Sequence, residues 1–183
     1  MTTRPATVGD VPAIAALIAQ FAQTGRMLFR SHAELYEAVR DFQVAEEGGS
    51  IVGVCALEVV WADLAEVRSL AVAPASQGRG VARALVNAVI EEAGRLRVQR
   101  VFALTYEEKF FAKLGFVTVE KAALPLKVWS ACIKCPKRDG CDEIAMVRIL
   151  QGNVPALEDA PNTHMDLRYE VPTPLTQMHR PAQ

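Results

Sequence analysis

The stretch SLAVAPASQGRGVARALV, residues 69–86, limits the fold more than any other part of the 183-residue chain. An apolar run ends at Pro74, which cannot continue the interior of a sheet, and two glycines, Gly78 and Gly80, follow closely. From Ala82 the residues Leu85, Val86, Val89, Ile90, Ala93 and Leu96 fall at helical spacing and make one apolar stripe. A strand must therefore turn into a long helix within a few residues. Glycines at such a junction let backbone N–H groups approach a bulky anion, and the helix start offers unpaired donors with a partial positive charge. Arg79 and Arg83 can add charge-assisted contacts to a diphosphate there. A plain glycine-rich turn would contain the same residues, so the surrounding elements have to decide.

Those elements alternate. TTRPAT reads as a first strand, and Asp10 as the cap of a helix carrying Val11, Ile14, Ala15, Ile18, Phe21 and Ala22. Ser31 caps a second, shorter helix with Leu35 and Val39. DFQVAEE and IVGVCALEVVW form an antiparallel hairpin around the turn GGS, and AEVRSLAVAP adds a further strand. After the long helix, RVFALT is a buried strand and EEKFFAKLG a short helix ended by Gly115. FVTVE and EIAMVRIL are strands separated by a cysteine-bearing insertion. Strands paired first as a meander and then alternating with helices indicate one mixed α/β domain over residues 1–150. The proline-containing stretch 151–183 reads as an extended tail.

Twenty basic against 21 acidic side chains give a net charge of -1, which excludes a general nucleic-acid footprint. The N-terminal MTTRPATVGD lacks a signal-peptide core and no apolar run approaches a membrane span, so the cytoplasm is the expected compartment. Four cysteines are too few for a secreted disulfide scaffold. Cys132, Cys135 and Cys141 have a spacing that can chelate a soft structural metal, with His164, Asp142 or solvent as fourth ligand; reduced thiols are the alternative.

With these elements in place, Gln77, Gly80 and Ala82 resemble motif A of the GNAT N-acetyltransferases, a Gln or Arg followed after two residues by Gly, any residue, then Gly or Ala. FFAKLGF is similar to the usual end of that family's fourth helix, and the resemblance covers most of residues 1–150. It implies a mostly antiparallel sheet flanked by helices and splayed between its fourth and fifth strands. It also implies acetyl-CoA as co-substrate and a homodimer. Backbone groups near Leu70 and Val72 would pair with the pantetheine arm, and the loop Gln77, Gly78, Arg79, Gly80, Val81 and Ala82 would hold the pyrophosphate.

Longer strings, LFRS, LYEAVRDFQVAE and VGVCALEVVWADLAEVRSLAV, resemble the short stand-alone N-acetylglutamate synthases of bacteria, which acetylate the α-amine of L-glutamate at the start of arginine biosynthesis. That resemblance implies Arg30 on a substrate carboxylate, with Arg26, Arg68 and Lys127 as further cations. It implies Glu66 in deprotonation of the amine and an N–H near Leu70 for the developing oxyanion. Many relatives place a proton-donating tyrosine where this chain has Phe111; Tyr106 and Ser69 are possible substitutes. Two other functions fit the same residues: acetylation of a different amine, such as glutamine or a peptide N-terminus, and a cofactor-binding regulator whose cysteines sense metal or redox state.

Overall fold

The computed structural model of the chain describes residues 1–124, 135, 137 and 140–151. Strand β1 (Thr2–Pro5) leads through a single 3₁₀ turn into α1 (Val11–Gln23), followed by α2 (His32–Glu37). Asp10 is not the side-chain cap expected for α1. Its carboxylate accepts from Thr7 N–H at 2.7 Å and from the Arg4 guanidinium at 2.8 Å, tying β1 to the helix start. Ser31 does cap α2: its Oγ accepts from Glu34 N–H, and the Glu34 carboxylate accepts in return from Ser31 N–H at 2.9 Å. Val39, expected on α2, lies in a separate 3₁₀ turn.

Strands β2 (Phe42–Glu47) and β3 (Ser50–Trp61) form the predicted hairpin. Its turn is the pair Gly48 and Gly49 alone, at φ 57° and 76°, the positive values that match the twist of the flanking strands. Ser50 therefore belongs to β3. Strand β4 (Leu64–Val72) returns along β3, and α3 (Val81–Arg95), β5 (Arg100–Thr105), α4 (Glu108–Ala112), β6 (Val117–Thr118) and β7 (Ile144–Ile149) follow. FVTVE contributes only two strand residues, because the chain soon turns into a 3₁₀ segment at Lys121–Ala123. The sheet order is β1-β2-β3-β4-β5-β7-β6, and among the described residues only β4 and β5 pair in parallel. Lys127, Cys132 and the expected tail beyond Gln151 lie outside the described residues.

Alternation along the strands sorts the core. Ala45, Cys55, Leu57, Ala65 and Val67 face the α3 stripe of Val81, Leu85, Val86 and Val89, while Phe42, Val44, Val54 and Ala56 face α1 through Ile14 and Ile18. In β4 this parity reverses at a bulge where Ser69 and Leu70 together oppose Cys55. Beyond it Leu70 and Val72 take the α3 side and Ala71 the α1 side. Ser69 adopts φ +53°, rare for a residue with a side chain.

The parallel ladder is short. Only Leu64, Ala65 and Glu66 are paired with Arg100, Val101 and Phe102, although β4 continues to Val72 and β5 to Thr105. The strands therefore diverge after Glu66. Their closed end is pinned by Arg100, whose side chain is 3% exposed and donates to Asp63 Oδ2 at 2.5 Å.

Candidate active site

The divergence of β4 and β5 opens a cleft of about 1820 Å³, bounded also by the α1–α2 loop, the start of α3, α4 and the segment before β7. At one end the chain leaves β4 through Pro74–Ser76 and enters α3 with Gly78 at φ 73° and Gly80 at φ 85°. Gly80 occupies the N-cap position with no side-chain cap, and the first helical bond runs from Ala84 N–H to Gly80 C=O at 3.0 Å. The N–H groups of the first helical turn thus have no partner in the helix. A Cβ built on Gly78 or Gly80 would meet nothing within 4 Å, so the loop faces open space. This donor-lined concavity suits a diphosphate.

Side chains of the loop divide the work differently from the sequence expectation. Gln77 Nε2 donates to the Val72 carbonyl at 3.1 Å and so ties the loop to the end of β4. Arg79 makes a two-pronged contact with Glu47 at 2.7 and 3.0 Å, whereas Arg83 lines the cleft. The Arg79 guanidinium is thus turned toward Glu47 in this structure.

At the other end, three charged residues of β3 and β4 share the α1 face. Glu58 and Glu66 lie directly opposite each other across the strands, and Arg68 pairs with Glu58. Arg68 also stands 3.8 Å from Glu66. Glu66 is not on a sheet edge; it pairs with both β3 and β5, and its side chain is only 14% exposed. Burial pushes its carboxyl up to about 7, against the opposing pull of Arg68 and with a further upward push from Glu58.

Arg30, on the α1–α2 loop, lines the same wall and stacks over the Phe42 ring at 5.5 Å from its centroid. It makes one long hydrogen bond, 3.4 Å to the Glu34 carbonyl, and no ion pair within 4 Å among the described residues. Burial lowers its pKa, and the neighbouring Arg68 charge adds to the shift. Arg26, by contrast, is spent on Glu107 and joins the α1–α2 loop to the end of β5.

Tyr106 donates to Asp142 Oδ1 at 2.9 Å and accepts from Lys137 Nζ at 3.1 Å. Phe111 packs edge-on between Phe110 and Phe116 in the core, so the tyrosine position of the resembled enzymes holds a packing ring here. Cys135 and Cys141 line the cleft, while Cys55 is wholly buried. No group of three His, Cys, Asp or Glu side chains able to hold a metal occurs among the described residues, so the metal expected at the cysteines gains no support.

Sequence reasoning passed over Glu58 and Glu143. Glu58 had a signal: it is a lone charge in an apolar strand, and the hairpin register sets it opposite Glu66. Glu143 acts on Glu66 from the segment before β7, a proximity created only by folding.

The sequence model of the acetyltransferase (GNAT) family matches residues 16–116. The chain belongs to the GNAT acetyltransferase family. Its splayed strands and glycine loop are thus those of a GNAT acetyltransferase, and relatives agree. A Chlorobaculum tepidum protein named an uncharacterized N-acetyltransferase is 42% identical over 80% of this chain and 95% of its own length. The amino-acid acetyltransferase of Mycobacterium tuberculosis is 42% identical over 69% of this chain and 74% of that protein. The crystal structure of N-acetylglutamate synthase from Neisseria gonorrhoeae, complexed with coenzyme A and N-acetyl-glutamate, superposes with a TM-score of 0.73 at 32% identity. That match covers 82% of this GNAT chain but 35% of the Neisseria chain. No helix among the described residues is long and apolar enough to cross a membrane.

Proposed function

We propose that this GNAT enzyme transfers the acetyl group of acetyl-CoA to the α-amine of L-glutamate, the reaction that opens arginine biosynthesis. The observation that carries the reading is Arg30, a half-buried guanidinium in the cleft wall whose fork has donors to spare, placed near Arg68 and Glu66. A burial-disfavoured cation of this kind is completed by a carboxylate, and arginine can take one in two-pronged fashion. Glutamate brings two carboxylates; Arg68 and Lys127 are the cations proposed for the second. The Neisseria enzyme solved with coenzyme A and N-acetyl-glutamate supports both the cofactor and the acceptor.

Acetyl-CoA, when bound, supplies the acetyl group as an activated thioester. The N–H groups of Gly78 to Ala82 hold its diphosphate, and the stretch of β4 that has parted from β5, at Leu70 and Val72, offers its backbone to the pantetheine arm. Glu66 takes a proton from the acceptor ammonium and serves in its ionised form, so burial that raises its pKa strengthens it as a base near neutral pH. An N–H of the bulge at Leu70 donates to the acyl oxygen as charge builds there. No phenol is needed at position 111, because a thiol with a pKa of about 8.5 leaves readily as thiolate.

Arg30→Ala tests the reading. Loss of a charge-assisted contact of about 1.5–3 kcal/mol lowers kcat/KM for glutamate by roughly 10- to 100-fold while acetyl-CoA affinity, read by calorimetry, is unchanged. Unaltered turnover with glutamate would overturn it.

A further inference from the structure

The three charges at the Glu66 end of the cleft share their contacts unequally. The ladder sets Glu58 of β3 directly opposite Glu66 of β4, and two carboxylates so placed repel one another. Arg68 is the cation within reach of both, and one of its nitrogens serves them. Its Nη1 donates to Glu58 Oε2, while the same atom stands 3.8 Å from Glu66 Oε2, beyond hydrogen-bond reach. The Glu66 carboxylate accepts no hydrogen bond among the described residues. Burial alone would favour the opposite arrangement. The Glu58 side chain is 45% exposed and has water to solvate it, whereas Glu66, at 14%, has more to gain from a cation. A shift of Nη1 by about 1 Å would give Glu66 a charge-assisted bond of ordinary length. What holds the nitrogen away is its bond to Glu58.

We infer that Glu58 is a positioning residue for the base: by holding the Arg68 guanidinium on its own carboxylate, it keeps Arg68 from closing onto Glu66 and leaves Glu66 open to the acceptor's ammonium. The inference rests on the reading of Glu66 as the base. A carboxylate bonded to a guanidinium has an oxygen occupied and its proton affinity lowered, and so accepts an ammonium proton poorly. The bond to Glu58 also fixes Arg68 in the cleft wall. The other charges that act on Glu66 come from separate elements, Arg30 on the α1–α2 loop and Glu143 ahead of β7, while β5 sets the apolar Phe102 beside it. Of the cations, only Arg68 comes within 4 Å of the Glu66 carboxylate among the described residues.

The test is Glu58→Gln, which keeps the shape and removes the charge. Two midpoints are read: the acid limb of kcat/KM for glutamate, and the titration of the Glu66 carboxyl by carbon-13 NMR, its signal assigned by its loss in Glu66→Gln. With Arg68 released onto Glu66, both midpoints should fall by about one pH unit or more. At pH 8 kcat/KM should drop roughly 10-fold, because the base that remains is weaker and bonded. The deficit should shrink below pH 6, where Glu66 of the natural enzyme is largely protonated. In an Arg68→Gln background the same change should move the NMR midpoint less than about half as far, since only the repulsion between the carboxylates is then lost. An NMR midpoint that stays put in Glu58→Gln, or one that moves equally in both backgrounds, would overturn this inference alone. A kinetic limb that stays put while the NMR midpoint falls would remove the base reading, and the role given to Glu58 with it.

Discussion

Glu66→Gln removes a charge from the centre of the sheet and leaves its shape. In the natural chain the carboxyl is held at about 7 rather than 4.5, chiefly because burial disfavours the ionised form. That difference costs the folded protein about 3 kcal/mol once the group is ionised. The sign follows from proton binding. Below pH 4.5 the folded and unfolded chains both hold the proton and no cost arises. Between 4.5 and 7 the unfolded chain has released a proton that the folded chain still holds, so folding weakens as pH rises; above 7 the deficit is constant. Urea unfolding of the two proteins should therefore give similar stabilities near pH 4 and a variant more stable by up to about 3 kcal/mol at pH 8. Activity should move the opposite way. The kcat/KM of the natural enzyme should rise with pH through an apparent pKa near 7, and the variant should lose that limb together with about 10²- to 10⁴-fold in rate. An acid limb that survives in Glu66→Gln would refute the assignment of the base, and a stability difference that does not change with pH would refute the buried-carboxylate argument.

Asp63→Ala removes one charge-assisted hydrogen bond from the buried Arg100 guanidinium at the closed end of the β4–β5 splay, and should cost about 1.5–3 kcal/mol in chemical unfolding. Ser69→Gly should be neutral or stabilising by up to about 1 kcal/mol, because glycine accepts φ +53° without strain, whereas Ser69→Val should destabilise by about 1–2 kcal/mol in the same assay. Gly80→Ala meets no clash but must hold φ +85°; acetyl-CoA binding by calorimetry should weaken as the loop relaxes, with a stability loss of about 1 kcal/mol.

The features legible from sequence are those written within a few residues of one another. The α3 stripe, the positive-φ glycines around it and the β2–β3 hairpin are local, and each forms as expected. The divergence of β4 and β5 followed from resemblance alone; no spacing in the chain encodes where a parallel ladder stops. The bulge at Ser69 was silent because an inserted residue leaves an apolar strand looking apolar, even though it turns Leu70 and Val72 to the opposite face. Long-range partners were equally hidden. Arg79 reads as a phosphate ligand beside two glycines, and only the fold brings Glu47 to it from 32 residues away. Arg26 and Arg30 stand four residues apart on one loop with the same charge, yet one finds Glu107 and the other keeps donors to spare. Burial of Glu66 in a central strand, not its place near a strand start, is what shifts its proton affinity.

The most direct measurement is mass-spectrometric detection of product from acetyl-CoA and a panel of free amino acids, polyamines and short peptides. Mass detection avoids thiol-reactive dyes, which the cleft cysteines would confound. N-acetylglutamate should form selectively, with a kcat/KM above that for glutamine, its neutral isostere, because Arg30 and its neighbouring cations read two carboxylates. Equal or preferred acetylation of glutamine, or of a polyamine or peptide, would contradict the assignment of glutamate as the acceptor.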